Sequence, residues 1–138
     1  MRWLLPSQKN NYDHEVNSLM TYLESYAQEK SDIIPLKTPD GIRLLKKDSI
    51  IAVDVDGRQL QLKTLKGNFY ITERLYQFKE RINSTDIVQV SKQSLININH
   101  LNKLEASFSG NMLAILINDV KVMVSRRYLK NLEQKLGL

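Results

Sequence analysis

From Asp13 onward, apolar residues recur at helical spacing. Val16, Leu19, Met20, Leu23, Tyr26 and Ala27 mark one face, with Glu15, Glu24 and Glu29 elsewhere. The pattern predicts an α-helix ending near Lys30, before Ser31-Asp32. Met1 to Asn10 lacks periodicity and reads as a loose lead-in. A lone helix of this length is marginal in water, so its apolar stripe needs a surface to cover it. That surface is either the rest of the chain or a second copy of it.

After the helix the period changes to two. Ile33 to Thr38, Ile42 to Leu45, Ile50 to Val55, Arg58 to Leu65 and Phe69 to Ile71 read as strands. Leu60, Leu62 and Leu65 are expected on one side. Pro39-Asp40-Gly41 is a turn in which proline presets φ and glycine accepts positive φ. Asp56-Gly57 is a favoured pair for a tight hairpin, and Lys66-Gly67-Asn68 turns again. Thr72 is the expected cap of a short helix, Glu73 to Ile82, with Leu75, Phe78 and Ile82 inward and Glu73 suited to the positive helix end. Ile87 to Val90 is a strand, and Ser91 to Leu95 reads as one helical turn. Leu101 to Phe108 and Leu113 to Ile117 are strands around Ser109-Gly110-Asn111. Asn118-Asp119 turns into Val120 to Val124. Ser125 then caps a last helix striped by Leu129, Leu132 and Leu136.

The chain is therefore mainly β with short helices plus an N-terminal α-helix. Successive hairpins argue for antiparallel pairing. Residues 1–30 form a tail and helix, and residues 31–138 form the β-rich domain.

Composition narrows the function. A 138-residue chain with 42% hydrophobic residues can bury one real core. The net charge is +5. It is unevenly placed: residues 1–85 carry 13 basic and 11 acidic side chains, and residues 86–138 carry 7 and 4. The excess in the shorter segment suits a polyanion. The absence of cysteine excludes disulfides and thiolate zinc sites. Trp3-Leu4-Leu5 is too short for a signal segment, and no apolar run approaches the roughly 18 residues that a membrane span needs. A cytoplasmic protein without membrane contact is the expectation.

Candidate catalytic chemistry is sparse. His14 and His100 are the only neutral-pH bases, and neither lies in a metal-binding spacing. Asp54 and Asp56 share a strand face at a hairpin end, the ordinary chemistry of a solvated turn. No enzyme, cofactor or metal site is expected. The final eighteen residues differ: five are Lys or Arg, opposed only by Glu133. Arg126 and Arg127 sit there at a strand-to-helix corner, a plausible grip for a phosphate or a base edge.

Two stretches in sequence make the reading more specific. Asp86 to Leu101 reads D-I-V-Q-V-S-K-Q-S-L-I-N-I-N-H-L, and some two dozen residues later comes V-S-R-R-Y-L. Together they resemble the LytTR family of bacterial DNA-binding domains. The matching positions are Ser91-Lys92-Gln93, Leu95-Ile96, Asn97-Ile98-Asn99-His100-Leu101 and Ser125-Arg126-Arg127-Tyr128. The resemblance covers roughly Ile33 to Leu138. It implies an elongated bundle of small antiparallel sheets that reads DNA with loops between strands.

The resemblance also implies roles. Lys92 and Arg127 fall on loops that enter successive major grooves. Arg126 and Lys130 flank the corner and suit phosphates, and Ser91 and Gln93 add hydrogen bonds. Arg58, after the Asp56-Gly57 turn, falls near the family's first DNA-contacting loop, where the match is loose. Leu95, Ile96, Ile98 and Leu101 are core. Asn97 and Asn99 serve local backbone groups, and Tyr128 is half-buried. The family commonly carries histidine or arginine in the triplet, so Ser91 and Lys92 bear on base preference rather than on fold. It also commonly carries a receiver domain, which thirty residues cannot form, so a stand-alone regulator is expected. The partner expected from the resemblance is double-stranded DNA at direct-repeat sites, bound by two protomers. The alternative is a protein–protein interaction module that keeps the fold and uses its N-terminal helix to bind a partner, a homodimer among the possibilities.

Overall fold

The computed structural model describes residues 9–29 and 32–138, without the side chains of residues 9–12, 28 and 29. It divides into two compact units, Met1–Lys46 and Lys47–Leu138. Most of the expected lead-in lies outside the described residues. Lys9 and Asn10 do not belong to a lead-in, because they already form the first turn of α1, Lys9–Glu29.

In the first unit α1 packs on β1, Ile33–Thr38. Val16 and Ala27 are buried and Leu19, Met20 and Leu23 half-buried, while Tyr26 is 41% exposed. The covered stripe is thus narrower than predicted. Asn17 Oδ1 accepts a hydrogen bond from Lys37 Nζ at 2.6 Å, tying helix to strand. β1 pairs antiparallel with β2, Gly41–Lys46, and Thr38 faces Gly41 across the Pro39-Asp40 loop. Gly41 takes φ 136°, which its lack of a Cβ permits.

The second unit holds two antiparallel sheets. The larger runs in the order β5-β4-β3-β7-β6. Its strands are β3 Ile50–Asp56, β4 Gln59–Thr64, β5 Gly67–Ile71, β6 Ile87–Ser91 and β7 Ser94–Asn97. The smaller runs β10-β9-β8, from β8 Leu101–Ala106, β9 Met112–Leu116 and β10 Lys121–Val124. α2 spans Leu75–Ile82 and α3 spans Arg126–Leu136. Four consecutive buried residues in β3, Ile50 to Val53, show that both faces of the larger sheet are covered. One core joins the two sheets to α3. Ile51, Val88, Val90 and Ile96 meet Leu116, Val122, Val124 and Leu132 there, with Ile98, Leu101, Leu129 and Leu136 packed around them.

Several local expectations shift. The β3–β4 loop is Gly57-Arg58 rather than Asp56-Gly57, since Asp56 pairs with Gln59. Glycine at the first loop position, with φ 62°, is the requirement of that turn. Leu65 lies in the next loop, half exposed, and Thr64 takes the buried position on its strand face because Leu60 and Leu62 set an even register. Arg74, not Thr72, occupies the cap position of α2; its side chain makes no capping bond, and its amide donates to Gln77 Oε1 at 3.3 Å. Glu73 instead forms a two-bonded ion pair with Arg81, at 2.9 and 3.1 Å.

The helical turn expected at Ser91 to Leu95 does not form. The segment is a hairpin, with β6 and β7 joined by Lys92-Gln93. Leu95 and Ile96 are fully buried between β3 and β6, which outweighs any local helical tendency.

Candidate nucleic-acid interface

Two loops and the first turns of α3 carry the predicted side chains, and backbone hydrogen bonds tie them into one edge. The Val55 amide, just before the Gly57-Arg58 loop, donates to the Gln93 carbonyl at 2.9 Å. The Ser125 amide, where β10 ends, donates to the Val90 carbonyl at 2.9 Å. The β6–β7 hairpin that carries the Lys92-Gln93 turn is therefore bonded on one side to β3, beside the Gly57-Arg58 loop, and on the other to the Ser125 corner. Its own shape comes from side chains: Ser91 Oγ accepts the Gln93 amide at 3.1 Å, a short Ser-type turn. Gln89 Nε2 braces it from behind by donating to the Ser91 carbonyl at 2.9 Å.

At the corner, Arg126 and Arg127 are the first two residues of α3. Ser125 is the cap position, but its hydroxyl makes no capping bond. Asn111 caps instead: its Oδ1 accepts the Arg126 amide at 2.9 Å from the β8–β9 loop. Gly110 lies under the Arg126 stem, where an added Cβ would stand 2.8 Å from Arg126 Cδ. Leu132, fully buried, anchors the helix two turns on. These contacts fix the backbone from which both arginines project, so less conformational freedom is lost when they bind.

Ser91, Lys92, Gln93, Arg126 and Arg127 line one open concavity, together with Ser109, Asn111, Ser125 and Tyr128. Among the described residues no carboxylate lines it. Lys92, Gln93, Arg126 and Arg127 are exposed, Ser91 and Tyr128 half-buried. Among the described residues Lys92, Arg126, Arg127 and Lys130 have no ion-pair partner, so their charge faces solvent. Lys130 is exposed one helical turn beyond Arg126 and outside the concavity. Arg58 is not in it either and lines a neighbouring concavity that also reaches Lys92. Sequence reading missed the supports Gln89, Gly110 and Asn111. Their roles depend on strand register and on a loop fifteen residues from Arg126. Asp54 accepts a hydrogen bond from Ser94 Oγ at 2.6 Å and faces Lys63 Nζ at 3.5 Å.

A solvent-facing row of cations and amides on a turn and a helix head, without clustered acid–base groups among the described residues, has the chemistry that suits a polyanion. The family model of the LytTr DNA-binding domain matches residues 40–137, and the chain belongs to that family. The family is one of DNA-binding regulators, not of enzymes. Relatives include the transcriptional regulatory protein LytR of Staphylococcus aureus strain bovine RF122. It is 24% identical over 126 residues, covering 91% of this chain and 50% of the relative. The sensory transduction protein LytT of Enterococcus faecalis is 29% identical over 109 residues, covering 79% and 45%. The chain thus spans about half the length of these relatives. A solved LytTr DNA-binding domain from Bacillus cereus has the same fold, with a TM-score of 0.69 at 17% identity, covering 78% of this chain and 98% of that one. No described helix is long and apolar enough to cross a membrane.

Proposed function

We propose that this protein is a transcription regulator that binds specific duplex sites through the loops at Gly57-Arg58 and Ser91–Gln93 and the strand-to-helix corner at Ser125–Arg127. The observation that carries the reading is the pair of backbone bonds, Val55 to Gln93 and Ser125 to Val90, that joins both loops and the corner into one edge. Arg127 and Lys92 read base edges in the major groove. Arginine does so as a fork to guanine O6 and N7, lysine less rigidly. Arg126 and Lys130 hold phosphates, Ser91 and Gln93 add hydrogen bonds, and Arg58 meets the strand beside Lys92. Two protomers on a direct repeat are the arrangement that the family resemblance suggests. Duplexes selected from a random pool should share a short motif, with affinity falling steeply as salt rises. A flat salt dependence would contradict the reading.

A second reading concerns α1. Tyr22 and Tyr26, one turn apart, are 68% and 41% exposed beside the covered stripe. They favour a protein contact there, either with a second copy or with another protein. If the contact is with a second copy, Tyr22→Asp with Tyr26→Asp should lower the mass in solution while leaving monomeric DNA affinity intact. An unchanged mass removes α1 as a dimer contact.

A further inference from the structure

Lys92 lines a second concavity on the other side of its hairpin, together with Arg58 and Arg74. Arg74, at the head of α2, is exposed, and neither it nor Arg58 has an ion-pair partner among the described residues. Glu73 is the one carboxylate that lines this concavity, and Arg81 engages both of its oxygens. Its charge is therefore neutralised locally, which leaves three cations facing the same space. Tyr76, 61% exposed, lends an adjacent hydroxyl. Lys92 also belongs to the concavity of Arg126 and Arg127, so the two basic surfaces are continuous through one side chain.

We propose that this second concavity seats backbone phosphates of the duplex outside the bases read by Arg127, with Arg74 and Arg58 as the clamp. The inference rests on the proposed DNA-binding reading and lengthens its footprint along the duplex. The chemistry suits phosphodiester oxygens: guanidinium groups fork to phosphate with paired N–H donors, and exposed cations release counterions on contact. No base needs to be read there, so Arg74 contributes affinity without sequence preference.

The test compares the wild type with Arg74→Ala, Arg74→Lys and the double variant Arg58→Ala/Arg74→Ala. Each is titrated over a salt series on the selected duplex and on the same duplex with its flanks trimmed. Arg74→Ala should weaken all sequences alike and lower the salt slope by about one, the double variant by about two, and Arg74→Lys should stay near wild type. Trimming the flank on that side should weaken the wild type and leave the double variant unchanged. Equal melting temperatures show that α2 is intact. A wild-type slope in both alanine variants, or equal sensitivity of wild type and double variant to trimming, would overturn the clamp. A wild type without sequence preference, whose slope still falls with Arg74→Ala, would overturn base reading while leaving the phosphate clamp standing.

Discussion

Asn111 Oδ1 accepts the Arg126 amide at 2.9 Å, so a side chain from the β8–β9 loop caps the helix that carries both corner arginines. Replacing it with alanine removes the cap without touching a charge. Asn111→Ala should cost about 0.5–2 kcal/mol in stability, towards the low end because the bond is exposed. Asn111→Asp should keep the cap and the stability, yet weaken DNA binding, because it adds a negative charge beside Arg126. Thermal unfolding read together with duplex affinity separates the two effects. If Asn111→Asp binds as tightly as wild type, the concavity is not where phosphates lie.

Gly110 takes φ 80°, and its missing Cβ leaves room for the Arg126 stem. Gly110→Ala places an L side chain in the left-handed region, at roughly 1–2 kcal/mol. It also pushes the Arg126 stem aside. Unfolding should move by that amount, and affinity should fall for all duplexes alike. Unchanged affinity with the expected loss of stability would show that the position of Arg126 does not matter for binding.

Leu132 is fully buried in the core that joins both sheets to α3. Leu132→Ala should cost about 2–5 kcal/mol. Hydrogen exchange at the Ser125 amide should rise with it, since the Ser125–Val90 bond sits at the head of the same helix. A corner that stays protected while global stability drops would mean that Val90 and Asn111 hold it without the helix.

Asn97 is 1% exposed and bonded on both sides of its amide: it donates to the Ile50 carbonyl at 2.9 Å and accepts the Asn99 amide at 3.0 Å. Asn97→Leu leaves those buried groups unpaired and should cost about 1–3 kcal/mol. Base preference in the folded fraction should not change. A shifted preference in a selection experiment would give Asn97 a role in reading that its burial argues against.

The legibility of the sequence followed the range of the interactions. α1, both helical stripes and nearly every strand were readable, because periodicity reports which face is buried. Ser91, Lys92, Gln93, Arg126 and Arg127 could be named through the motif order, and they do line one concavity. The hairpin at Lys92-Gln93 reads as a helical turn in the sequence because its loop has no glycine, asparagine or aspartate. Its turn chemistry sits in the Ser91 hydroxyl and in the sheet on either side. Asn111 and Gly110 gave no signal as supports, since their meaning depends on where the β8–β9 loop lands. Leu65 illustrates register: the buried face of β4 falls on even positions, so Leu65 is out of step with Leu60 and Leu62 and lies in the following loop.

The central claim is that Arg127 reads a base while Lys130 only holds the backbone. The direct measurement is equilibrium binding of Arg127→Ala and Lys130→Ala to the selected duplex, to its single-base variants and to unrelated DNA. Arg127→Ala should lose about 1–3 kcal/mol at the selected site and relax preference at one or two base pairs. Lys130→Ala should weaken every sequence alike and lower the salt slope by about one. If Arg127→Ala instead weakens all duplexes equally, Arg127 is a phosphate contact, and base reading rests on Lys92.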